Sequence, residues 1–260
     1  MDIVLLLLIG IIASVIGSLI GIGGGVIIVP ALIFLGNSTN ILESMTVQNA
    51  IGTSALTLVF TGLFSMMIYG RTKTVDVKSG MLFSIGIVPG SFLGAYLSRF
   101  LGQESFGIIF GTFLLLIFTV LTFKNRMIKE KENLYQNKKE FKPVVGITAA
   151  FFVGISAGLF GIGGGALMTP LMIIVLSFPP HIAVATSMII IFSSSLASSA
   201  GHFAQGNILW GYALILIIAT FIGSKIGVRI NQALNSHTLS QVLRFGLLIL
   251  GIYMITDALI

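Results

Sequence analysis

Cysteine is absent from the chain. That excludes disulfides, thiolate metal sites and thiol nucleophiles. Charge is scarce too. Only 8% of residues are Asp, Glu, Lys or Arg, against about 25% in soluble domains. Eight residues are acidic, and none sits clearly inside a long apolar run. Glu43, Asp76 and Glu104 fall between runs, and Asp257 is near the end of the chain. The carboxylate relay of many proton pumps is therefore missing. There is no His/Asp/Glu cluster spaced for a metal, no strand-like alternation and no large polar domain, so an enzyme is not expected. No cofactor is implied.

What is present is apolar. Hydrophobic residues make up 56% of the chain, and the mean hydropathy is +1.08. A soluble fold of this size cannot hide that much apolar surface, so the solvent for most of the chain is lipid. The expected class is an all-α integral membrane protein, since a lipid-exposed backbone must pair within its own segment. Eight stretches approach the roughly 20 residues that a crossing helix needs. They are 3–20, 50–69, 75–97, 106–123, 144–160, 182–203, 208–230 and 239–259. The first lacks a basic lead-in and a cleavage site, so it reads as a retained helix. The net charge of +6 fits cytoplasmic loops enriched in Lys and Arg, not nucleic-acid binding.

The segment 124–142 holds seven Lys/Arg and three Glu. It reads as a solvated, cytoplasmic linker. It divides the chain into a first transmembrane repeat (1–123) and a second (143–260). "GIGGGVIIVP" at 21–30 returns as "GIGGGALMTP" at 161–170, 140 residues later. Downstream, "AIGTSAL" (50–56) matches "AVATSMI" (183–189) at an offset of 133, which persists through Gly90/Gly223 and Gly94/Gly227. The expected architecture is two homologous four-helix halves. Each adds a short apolar piece after the glycines, 26–35 and 166–176.

The charges suggest that the halves are inverted. Arg71, Lys73 and Lys78 follow one helix of the first half, whereas Lys225 and Arg229 mark the opposite end of the equivalent region in the second. If the short pieces complete crossings, every Lys and Arg except Arg99 falls on one side; if they re-enter and return, the halves are parallel and fewer do. Inverted repeats with broken helices are a common plan for transporters.

Three consecutive glycines should unwind a helix, at about 1 kcal/mol each relative to alanine. Unpaired backbone in lipid is costly, so the break must face protein or a wet cavity. A new helix then begins, and its first N–H groups have no intrahelical partner. Such a start favours an anion. Gly23, Gly24, Gly25, Gly163, Gly164 and Gly165 are accordingly the candidate amide donors. Close helix packing is the competing explanation for these glycines. A dinucleotide site is excluded, because Val26 and Ala166 stand where its last glycine belongs.

Thr53, Ser54, Thr186 and Ser187 form a repeated hydroxyl pair. They either bond within their own helices or complete the ligand shell. Ser194, in "FSSSLASSAGHF", Asn49 at a helix mouth, and His202 extend the candidate list. His202 could bind substrate or relay a proton. Lys225 and Arg229 lie on one helical face and either snorkel to headgroups or draw anions to the entrance.

The doubled GIGGG-x4-P, the Thr-Ser elements, "GHF-x-x-GN" at 201–207 and the basic central linker resemble the TauE/SafE sulfite-exporter family, over essentially the whole chain. The resemblance implies a multi-pass permease of the inner membrane for sulfite, sulfoacetate or related sulfur-containing anions. Alternating access would proceed around the paired breaks. The implied partners are a small anionic solute, the lipid bilayer and a coupling proton or sodium ion. A passive anion channel and a carrier of small carboxylates are the alternatives. One departure stands out: Tyr69 occupies the first-half position of His202, so the histidine is not duplicated.

Overall fold

The computed structural model describes residues 2–38, 45–71, 74–123 and 143–259. The basic segment 124–142 lies outside them. The described residues form helices and no strand. The first half contributes α1 (Asp2–Ile20), α2 (Gly25–Ser38), α3 (Val47–Gly70), α4 (Val77–Leu97) and α5 (Gln103–Phe123). The second contributes α6 (Pro143–Phe160), α7 (Gly165–Ile174), α8 (Pro180–Ala204), α9 (Trp210–Ala233) and α10 (Ser236–Leu259). Among the described residues, six helices are long and apolar enough to cross a membrane: α1, α3, α4, α6, α8 and α9.

Local chemistry sets the helix limits. Thr46 caps α3 by accepting the Asn49 N–H, and Asp76 caps α4 by accepting that of Ser79. Pro180 opens α8, where no intrahelical N–H is needed. α3 starts three residues earlier than its apolar run, at Val47, because Thr46 supplies the cap.

Glycine spacing decides how the long helices pair. Along α4, Gly86, Gly90 and Gly94 meet the backbone of Ile147, Phe151 and Ile155 on α6. Gly154 and Gly158 return the contact against Ile87 and Ser91. A Cβ on any of these would strike a carbonyl oxygen, so the helices approach to backbone contact. In lipid, where apolar burial gives little, such close packing provides the attraction. The same device joins α1 to α9, where Gly10 meets Ala219, Gly223 meets Ile11 and Gly227 meets Val15. In both pairs the residue numbers rise together, so the partners run parallel.

The halves are therefore interwoven. α1 and α3 of the first half associate with α9 of the second, and α6 and α8 of the second associate with α4 of the first. Each group is a three-helix bundle with one member borrowed. Where the groups meet, α3 and α8 run antiparallel: Gly52 meets His202, and ten residues on Gly62 meets Phe192. α5 and α10 also pair antiparallel, with Gly111 against Ile255 and Gly251 against Leu115. Phe106 and Phe110 stack on Phe160 at 5.7 and 5.1 Å between ring centres, tying α5 to the end of α6.

Candidate functional site

The two glycine breaks are buried and touch each other. A Cβ on Gly25 would sit 2.5 Å from the Gly161 carbonyl oxygen, and one on Gly165 would strike that of Gly21. The two contacts are equivalents at the 140-residue offset. Positive φ at Gly21 and Gly23 (82° and 96°), and at Gly161 and Gly163 (65° and 69°), reverses the chain, a conformation that side-chain-bearing residues resist. Gly24 lies back against Ala13, one helical layer below, so α2 doubles back beside α1.

Side chains of the opposite half hold each break. Ser54 donates to the Gly161 carbonyl at 2.9 Å, and the Ser187 hydroxyl is shared between the Val184 carbonyl of its own helix at 2.7 Å and that of Gly21 at 3.1 Å. Thr169 adds a second donor to Gly21, at 2.8 Å. The sequence singled out the serines; it did not single out Thr169, whose first-half equivalent is Val29. Positive helix termini and carbonyl-bound hydroxyls thus share one small volume.

Not every expected donor is available. Gly164 N–H already donates to Ser194 Oγ at 2.9 Å, and Gly23 N–H to the Gly17 carbonyl at 3.2 Å. Ser194 therefore serves the break itself. The threonines are occupied as well. Thr53 Oγ1 accepts the Leu209 N–H, and Thr186 Oγ1 accepts the Asp76 N–H, at 3.1 and 3.0 Å. Leu209 and Asp76 are equivalents at the 133 offset, and each precedes the first turn of its helix. The two threonines thus fasten the helix starts of α9 and α4 across the two halves. Asn49 is half-buried in the first turn of α3, one turn before Thr53.

His202 has a symmetric counterpart after all. Its Nε2 lies 3.4 Å from the Gly158 carbonyl, and Tyr69 Oη donates to the Ser18 carbonyl at 2.9 Å. Ser18 and Gly158 are equivalents, three residues before each break. A carbonyl only accepts, so Nε2 carries the proton and Nδ1 faces the Asn207 amide at 3.4 Å. Two different side chains brace the same turn. The basic pair Lys225 and Arg229 lies apart from the breaks, exposed on the outer face of α9.

Two residues at the centre were not anticipated from the sequence. Leu58 Cδ1 would lie 2.8 Å from a Cβ on Gly25 and 3.2 Å from one on Gly163. Ile191 covers Gly23, Gly163 and Gly165. Both are fully buried. The available signal was their position: each stands four residues after Ser54 or Ser187, on the same helical face.

The sulfite exporter TauE/SafE family model matches residues 6–254. The "probable membrane transporter protein YunE" of Bacillus subtilis is 42% identical, covering 100% of this chain and 99% of its own length. A probable membrane transporter protein of Methanocaldococcus jannaschii is 28% identical over 96% of this chain and 94% of its own. No solved structure shows a significant match. With its doubled glycine break and, among the described residues, six helices long and apolar enough to cross a membrane, the chain belongs to the TauE/SafE sulfite exporter family of membrane transporters.

Proposed function

We propose that the protein is a permease of the inner membrane for small sulfur-containing anions, sulfite or short sulfonates. The observation that carries this reading is the reciprocal contact of the two buried glycine breaks. Their short helices begin there, with N-terminal amides and partial positive charge converging at the centre of the protein. Gly24, Gly25, Gly163 and Gly165 would supply the amides. Ser54 and Ser187 would orient them through the break carbonyls. Thr53, Thr186, Ser194 and His202 would hold the surrounding helices in register, with Asn49 at the mouth.

Inverted topology is part of the proposal. Equivalent helices that pack on one another, α3 with α8 and α5 with α10, run antiparallel. That is the relation expected of a two-fold axis in the membrane plane. Alternating access would rock the two swapped bundles about the α3/α8 crossing. The halves as divided by sequence would not move as units, because glycine packing locks α1 to α9 and α4 to α6. A coupling proton or sodium ion would drive transport.

Tracer counterflow in proteoliposomes tests the reading. Sulfite or sulfoacetate loaded inside should accelerate entry of labelled substrate. Entry that ignores the trans solute would indicate a channel, and entry of acetate alone would indicate a carboxylate carrier. No entry of any of these anions would overturn the proposal.

A further inference from the structure

The glycine breaks are buried in this structure, and two of the side chains that cover them reach both breaks. Leu58 and Ile191 are equivalents at the 133 offset, and both are 0% exposed. Leu58 Cδ1 reaches Gly25 of one break and Gly163 of the other. Ile191 Cδ1 would lie 2.5 Å from a Cβ on Gly165 and 3.4 Å from one on Gly23. Each side chain thus spans both breaks, and together they cover the glycines on the crossing of α3 and α8.

Beside this apolar pair lies an unsatisfied polar group. Ser195 Oγ lies 3.2 Å from the Cβ position of Gly163. The residue is 1% exposed, and its hydroxyl has no hydrogen-bond partner in the protein. Ser65 and Ser198, equivalents of each other, are also buried with unpartnered hydroxyls. They stand seven residues after Leu58 and Ile191, two turns further along the same faces. Because α3 and α8 are antiparallel, the two serines lie towards opposite ends of the bundle. Buried hydroxyls normally find a partner, and water or a passing oxyanion would supply one here.

We propose that Leu58 and Ile191 are the two leaves of an apolar gate that sets which anions reach the glycine amides, with the unpartnered Ser195 hydroxyl beside the Gly163 that they cover. The leaves must part for a solute to touch Gly25, Gly163 or Gly165, and the space they vacate fixes its size. The inference rests on the permease reading for its solute and on the packing for its gate.

The lack of cysteine makes the gate directly measurable. Ser195→Cys places a single thiol beside Gly163, next to the leaves. The probe is 2-sulfonatoethyl methanethiosulfonate, itself a small sulfonate. The introduced thiolate attacks the sulfenyl sulfur, a disulfide forms and methanesulfinate leaves. With Leu58 and Ile191 intact, modification should be slow. With Leu58→Ala and Ile191→Ala it should be at least about tenfold faster, the scale on which a pocket discriminates by one or two methylenes. Leu58→Met and Ile191→Met, which keep the bulk, should leave it slow. If the double alanine variant does not fold, Leu58→Val alone, smaller by one methylene, should still raise the rate by about tenfold. Equal rates in all backgrounds would overturn the gate. In parallel, labelled uptake in the cysteine-free chain should shift towards the larger sulfoacetate in Leu58→Ala. An unchanged sulfoacetate-to-sulfite ratio would also count against the gate. If the unaltered protein moves no anion yet the thiol rate rises, the gate stands and the permease reading falls.

Discussion

The two halves make the same contacts with different residues. Tyr69 and His202 brace equivalent turns. Ser54 and Ser187 bind equivalent carbonyls. Yet the second half carries more polarity at the centre. Thr169, Ser195 and His202 stand where the first half has Val29, Gly62 and Tyr69. The breaks differ too: Gly24 has φ of 80°, whereas Gly164 has −60° and gives its N–H to Ser194. The positive-φ turns at Gly21/Gly161 and Gly23/Gly163 are duplicated while the third glycine and the side chains differ. The break is the part that must be repeated, and the hydroxyl supply need not be.

The largest effect should come from closing the contact that the halves share. Gly25→Val and Gly165→Val would each drive a side chain into a carbonyl of the other break. Both should lose about 3 kcal/mol or more, seen as loss of monodisperse protein in detergent. Gly211→Ala, with nothing within 4 Å, should change the melting temperature little.

The serines should break the symmetry. Ser54→Ala removes the donor that holds Gly161, whereas Ser187→Ala leaves Gly21 bound to Thr169. Ser54→Ala should therefore cost about 1 kcal/mol more. The gap should close in Ser187→Ala combined with Thr169→Val, measured by denaturation in mixed micelles.

A smaller difference should separate Tyr69→Phe from His202→Phe. The first loses a bond of 2.9 Å and the second two contacts of 3.4 Å. Hydrogen bonds between membrane helices average about 0.6 kcal/mol, so Tyr69→Phe should lower the melting temperature more. The smallest effect belongs to Lys225→Gln and Arg229→Gln. These exposed residues should leave stability unchanged within about 0.5 kcal/mol. If they draw anions, uptake should slow at low salt and recover as screening rises.

Much of this was legible in the chain. Glycine runs at an offset of 140 and Thr-Ser pairs at 133 marked the duplicated unit, because a break inside an apolar run has few physical excuses. Other features were not legible. Ser54 and Gly161 are 107 residues apart, and Ser187 and Gly21 are 166 apart. No local pattern reports such pairings. Ser54, Ser187 and Ser194 bond to backbone of the breaks, and Thr53 and Thr186 to helix starts. A hydroxyl in lipid takes the nearest carbonyl or amide, and only packing decides which that is.

From the chain alone follow the solvent, the helices, the repeat and the places where helices must break, since hydropathy and glycine content act within a few turns of chain. Packing in three dimensions added that each half lends a helix to the other, that Tyr69 and His202 do one job, and that Leu58 and Ile191 cover the breaks. These depend on which faces meet. In a membrane, where most residues are apolar, composition cannot distinguish the lipid-facing side from the packed one; close contact between glycine-lined backbones can.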